Sequence, residues 1–170
     1  MDETLKNLHK AFAGESQARN RYAMYAKQAK KEGFEQIASI FEETADQERE
    51  HAKQLSKMFG ETKTNLKGAI AGETYETSTM YPEFATQAKN DGLEEIAKRL
   101  MAIGVAEIHH AQRYQKLSDL VEAGKVFEKD DVKQWVCRKC GYVHTGRTPP
   151  EECPACSHKE AYYQIKSEEY

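Results

Sequence analysis

The first 136 residues hold no cysteine, and the first 124 hold a single proline, Pro82. A stretch that long with almost no helix breakers is open to continuous helix and closed to a disulfide framework. No apolar run approaches the roughly 18–20 residues needed to cross a bilayer, so no membrane partner is expected. Neither sign of charge dominates: 25 Lys and Arg oppose 28 Asp and Glu, a net charge of −3. That balance gives no chain-wide electrostatic case for nucleic acid or an anionic surface. The start, Met1-Asp2-Glu3-Thr4, is acidic and lacks the apolar core of a secretory signal. A cytoplasmic location is therefore expected, and 170 residues allow one good core plus a small accessory module.

The chain does contain an internal repeat. Ala13-Gly14-Glu15 recurs as Ala71-Gly72-Glu73, Gln28-Ala29-Lys30 as Gln87-Ala88-Lys89, and Glu35-Gln36-Ile37-Ala38 as Glu94-Glu95-Ile96-Ala97. The offset is 58 at the glutamates and 59 from Tyr22 and Tyr81 onward. One extra residue thus sits between Glu73 and Tyr81. Inside a helix it is absorbed either as a π-bulge or, since Pro82 adjoins, as a plain proline kink. Apolar residues at spacings of three and four predict four helices. Their stripes carry Leu5, Leu8, Phe12, Glu15 and Tyr22; Ile37, Phe41, Glu48, His51 and Leu55; Leu66, Ile70, Glu73 and Phe84; and Leu93, Ile96, Leu100, Ile103, Glu107 and His110. Gly33 and Gly92 mark the ends of the first and third. Composition changes near residue 130, which predicts a helical bundle over 1–130 and a second module over 131–170.

Glu-x-x-His occurs twice, as Glu48 to His51 and as Glu107 to His110. The two residues of each pair share a helix face. A carboxylate on an apolar stripe is costly unless its charge is compensated. Two such pairs, plus a stripe glutamate (Glu15, Glu73) from each of the other two helices, give the arrangement of a di-iron or di-manganese bundle site. Carboxylates bridge and neutralise two cations, and one imidazole per ion tunes the pair. Glu76 is either a surface glutamate or a seventh, asymmetric ligand. Tyr22 and Tyr81 either pack in the core or hydrogen-bond the ligand carboxylates. His109 lies off the stripe, and His9, His144 and His158 have no supporting pattern.

All four cysteines fall in the last 34 residues, as Cys137-x-x-Cys140 and Cys153-x-x-Cys156. Two such knuckles 12 residues apart predict one tetrahedral tetrathiolate site. Zinc and iron use the same ligands: zinc would make it a structural ribbon, iron a one-electron carrier. Trp135, Tyr142, Tyr162 and Tyr163 are the aromatics available for a small core, and so small a module leans on its metal for stability.

Paired Glu-x-x-His helices followed by Cys-x-x-Cys-Gly-Tyr and Cys-Pro-x-Cys resemble the rubrerythrin family over essentially the whole chain. The stretches Ala11 to Ser16, Asp46 to His51 and Met80-Tyr81-Pro82 are especially similar. The resemblance implies an all-α, ferritin-like four-helix bundle fused to a small rubredoxin-like β/loop module. It implies a non-haem di-iron site on Glu15, Glu48, His51, Glu73, Glu76, Glu107 and His110, and one iron on Cys137, Cys140, Cys153 and Cys156. It further implies that one iron exchanges His51 for Glu76 as its redox state changes, which gives those two residues the catalytic role. The implied activity is reduction of hydrogen peroxide to water. Electrons enter through the tetrathiolate iron from an NAD(P)H-dependent flavoprotein or a free rubredoxin. Ser157-His158 after the last cysteine is a departure, since many rubredoxins have glycine there.

The competing readings are a ferroxidase or iron-handling protein, as the bundle type suggests, and a zinc ribbon on a structural bundle. A second departure concerns the middle of the chain. The second helix runs to about Phe59 and the third starts near Thr62. At most, Gly60 to Asn65 connects them and spans roughly 20 Å, whereas a 28-residue helix is about 42 Å long. A parallel second and third helix within one bundle is out of reach, so a domain-swapped homodimer is expected.

Overall fold

The structure is a computed structural model that describes residues 3–167. The expectation drawn from Met1-Asp2 lies outside the described residues. Helix α1 spans Glu3–Lys31 and α2 spans Glu35–Leu55, followed by a single 3-10 turn at Ser56–Met58. Then come α3 (Thr62–Tyr75), a π turn (Glu76–Met80), α4 (Tyr81–Asn90) and α5 (Glu94–Glu122). The last module is a three-stranded antiparallel sheet in the order β2-β1-β3, with β1 at Lys133–Cys137, β2 at Val143–Gly146 and β3 at Tyr163–Ile165. The chain divides into two compact units, residues 1–60 and 61–170.

In the first unit α1 and α2 form a hairpin. Gly33 takes φ +83° at the end of α1, and Phe34 N–H returns to the Ala29 carbonyl at 2.9 Å. Gly92 does the same in the second unit at φ +75°, where Leu93 N–H bonds the Ala88 carbonyl at 2.8 Å. This is the left-handed helix ending that glycine adopts without a Cβ penalty. The seam of each hairpin is made of small residues: Ala26, Ala29, Ala38 and Ala45 in the first, Ala85, Ala88, Ala97 and Gly104 in the second. Alanine and glycine let the helix backbones approach closely.

The large stripe residues did not go where the pattern alone would put them. Ile37 is 48% exposed, Ile96 50% and Phe84 51%. A helical hairpin has one closed seam, and side chains flanking it stay open until a further layer covers them.

The extra residue of the second repeat is a π turn and not a plain proline kink. Tyr81 N–H reaches back five residues to the Glu76 carbonyl. Pro82 follows in the first turn of α4, where its missing donor costs least.

The strand module is built around Trp135, Cys137, Cys153 and Tyr163, all buried. Tyr142 and Tyr162, expected in this core, are 38% and 39% exposed instead. Their place is taken by Phe127 from the connector, which packs on the cluster. The connector is also tied down by Lys129 N–H to the Arg147 carbonyl at 2.9 Å. No helix among the described residues is long and apolar enough to cross a membrane.

Candidate metal centres

The first unit brings together Glu15 from α1 with Glu48 and His51 from α2. His51 Nδ1 lies 2.9 Å from Glu48 Oε2 and 3.5 Å from Glu15 Oε2. The second unit repeats the arrangement with Glu73 from α3 and Glu107 and His110 from α5. His110 Nδ1 is 2.5 Å from Glu107 Oε2 and 3.4 Å from Glu73 Oε2. Two donors about 2.1 Å from one ion and at right angles lie about 3 Å apart, so each trio has ligand spacing. The carboxylates are well covered, Glu107 13% exposed and Glu48 17%, while the imidazoles are more open.

The charge balance of each trio points the same way. The hydrogen bond with Glu48 holds the Glu15 carboxyl above its ordinary range. The hydrogen bonds with Glu15 and then His51 hold Glu48 below it. The two shifts oppose each other, as those of crowded carboxylates do. His51 is pushed up, first by its bond to Glu48. Burial, then the bond with Glu107, raises Glu73. A cation held between such carboxylates would offset their charge.

Glu76 is the first residue of the π turn and is half-buried. Tyr81 is half-buried at its far end. Burial, and then the charges of Glu76, Glu107 and Glu73, push its phenol up, so it stays a hydrogen-bond donor among carboxylates. Tyr22, its repeat counterpart, stacks on Phe41 with ring centroids 6.1 Å apart. His109 belongs to neither trio.

The four cysteines converge. Cys137 Sγ lies 3.8 Å from Cys156 Sγ, and Cys140 Sγ lies 3.6 Å from Cys153 Sγ. A tetrahedron with arms of about 2.3 Å has edges of about 3.8 Å, so the sulfurs fit one tetrathiolate ion. Burial pushes the Cys153 thiol up. The Tyr163 hydroxyl and the N–H groups of Ala155 and Cys156 outweigh it, bringing the thiol down to about 6. Cys156 ends at about 12: the His158 N–H favours its thiolate, but burial and the other three sulfurs outweigh that. Opposite shifts on neighbouring sulfurs are those of thiolates crowded together, an arrangement a bound cation would stabilise.

Ser157 is where the module departs from expectation. It sits at φ +55°, a left-handed conformation, and its N–H bonds the Cys153 carbonyl at 2.8 Å. The corresponding residue of the first knuckle, Gly141, has φ +79°. Serine therefore carries a backbone penalty of roughly 1 kcal/mol that glycine avoids. Ser157→Gly is expected to raise the module's thermal midpoint in the metal-loaded protein; an unchanged or lower midpoint would show that the turn is not strained.

Comparison with known proteins identifies the family. The model of the rubrerythrin family matches residues 6–118, and that of the rubrerythrin rubredoxin-like domain matches residues 135–164. A putative rubrerythrin of Methanocaldococcus jannaschii is 52% identical, covering all of this chain and 96% of that protein. Rubrerythrin of Nitratidesulfovibrio vulgaris is 46% identical over 95% of this chain and 93% of its own. A solved structure of nigerythrin in a mixed-valence state is 32% identical, covers 98% of this chain and 88% of its own, and superposes with a TM-score of 0.38. The donor sets are those of a di-iron site and a rubredoxin-type iron. Carrying both of its domains in tandem, the chain belongs to the rubrerythrin family.

Proposed function

We propose that this protein is an oxidoreductase that reduces hydrogen peroxide to water, consuming two electrons and two protons per peroxide. The observation that carries the reading is the pairing of two Glu-Glu-His trios with a tetrathiolate cluster in one chain. When bound, the di-iron pair supplies the two electrons to peroxide and the tetrathiolate iron restores them one at a time. The residues set the rest. Glu15, Glu48, Glu73 and Glu107 balance the charge of two cations, while His51 and His110 give each cation a neutral ligand. Glu76 is the extra carboxylate, able to replace His51 on one ion. The Tyr81 phenol, kept protonated, steadies a ligand carboxylate by donating to it. Residues 1–130 form the peroxide-reducing domain and 131–170 the electron-entry domain.

Electrons come from an NAD(P)H-dependent flavoprotein or a free rubredoxin, and the reaction belongs in the cytoplasm. The working unit is a domain-swapped homodimer, each di-iron site combining residues 1–60 of one copy with the second unit of its partner.

Anaerobically reduced, iron-loaded protein should consume peroxide stoichiometrically without a donor and catalytically with one. Cys140→Ser should keep the first reaction and lose at least about 100-fold of the second, because only re-reduction needs the cysteine module. Undiminished catalytic turnover in Cys140→Ser would remove the module from the electron route. Failure of the wild-type protein to consume peroxide would overturn the activity itself.

A further inference from the structure

The two halves of the repeat differ in length at one place, between Glu73 and Tyr81, and three residues there belong together. The Thr77 hydroxyl, inside the π turn, donates to the Gly104 carbonyl of α5 at 2.8 Å. Gly104 is buried against Tyr81: a Cβ on residue 104 would lie 3.2 Å from Tyr81 Cβ. Tyr81 Cβ is fixed to the backbone and yields only if α4 moves.

The first unit shows what the arrangement replaces. Ala45 stands at the Gly104 position and Tyr22 at the Tyr81 position, each 59 residues earlier. Ala45 is buried, so the first hairpin accommodates a methyl group where the second does not. There α1 is regular helix from Glu3 to Lys31, with no π turn. The close approach and the added residue thus occur in the same unit. Glycine at 104 admits the close approach, and the Thr77 hydroxyl ties the π turn to α5. A π turn unsupported by tertiary contacts has poorer hydrogen bonding than the α-helix it interrupts, so it needs such a clasp.

We propose that Thr77 and Gly104 form a clasp that holds the π turn in place and thereby positions Glu76 as a metal ligand. Thr77 and Gly104 are positioning residues; neither touches the ions. The clasp fixes the backbone at Glu76 and so limits where its carboxylate can reach. The inference rests on the reading of Glu76 as the extra ligand of the di-metal site, but not on peroxide being the substrate.

Cobalt(II) loading of the full-length protein, with its tetrathiolate site already filled by zinc, gives a test independent of activity, because cobalt absorption reports the number and type of its ligands. Gly104→Ala and Thr77→Val should each weaken binding of the second cobalt ion about 10-fold, as loss of an orienting contact does. Each should also shift the spectrum toward that of Glu76→Ala. Thr77→Ser keeps the hydroxyl and should stay within about 2-fold of the wild type. In a Glu76→Ala background the same changes should add less than about 2-fold, since the group they position is gone.

Equal losses with and without Glu76 would reduce the clasp to a general packing contact and overturn the proposal. So would a Glu76→Ala protein with the wild-type cobalt affinity and spectrum. Should Gly104→Ala not fold, the Thr77→Val and Thr77→Ser pair decides alone. Absence of peroxide turnover in the wild type, with these cobalt effects intact, would overturn the activity and leave the clasp standing.

Discussion

Two defective chains are expected to restore each other. A Glu48→Ala, His51→Ala chain loses the ligands of its first unit, and a Glu107→Ala, His110→Ala chain those of its second. Refolded together, they are expected to regain one complete di-metal site per heterodimer, from near zero in either homodimer. The reason is in the connector. The 3-10 turn ends at Met58 and α3 starts at Thr62, leaving Phe59, Gly60 and Glu61 between them. Four Cα steps span at most about 14 Å. The path from Thr62 to Asn90 is 29 helical residues, about 43 Å. The connector is thus shorter than the sequence suggested, and a ferritin-like site, with its second and third helices parallel, is better assembled from two copies. In the swapped heterodimer one site collects both damaged units and the other both intact ones. In an unswapped pair each site keeps one damaged unit and no rescue occurs. Metal analysis of a heterodimer isolated by two affinity tags separates the cases, and a heterodimer without di-metal iron excludes the swap.

Glu48→Ala alone has the second large effect. Even outer contacts to a metal ligand are worth 10–100-fold in affinity, so losing a ligand that bonds two others should cost more than about 100-fold. Glu48 faces both Glu15 and His51, and its loss leaves Glu15, 3.5 Å from the imidazole, as the only acid of the first trio. The helices should persist, because the remaining carboxyl can take up a proton and stay neutral. The tetrathiolate site, on separate residues, should keep its iron and red colour. Circular dichroism and iron counting on one sample test this. Retention of both di-metal ions would show that Glu48 is not a ligand, and loss of the red colour as well would show that the sites are not independent.

Much of this was readable before any coordinates. Helix periodicity, the two Glu-x-x-His pairs and the cysteine spacing are local patterns, each enforced by geometry within a few residues of chain. The trios and the cysteine cluster follow from them directly. The fate of the extra residue between Glu73 and Tyr81 was not readable, because both a π turn and a kink satisfy the count. The choice depends on what α5 offers opposite, and Gly104 carries no signal of its own in the sequence. The module core was misjudged for a similar reason. Tyr142 and Tyr162 have the right chemistry for it, but Phe127 reaches the space from outside the cysteine segment. Likewise the stripes name the residues that prefer burial without saying which surface covers them, and in the hairpins alanine fills the seam while Ile37 and Ile96 stand open.

The alanine seams bear on how the molecule folds. Each hairpin closes between residues near one another along the chain, so its formation has low contact order and should be fast. In the dimer proposed above, the open isoleucines would be covered by the meeting of two preformed hairpins. If these come from two chains, refolding should divide into an early phase with a rate indifferent to protein concentration and a later one that quickens with it. In dilute solution the hairpins would then wait, helical but metal-poor, with their apolar faces exposed to aggregation.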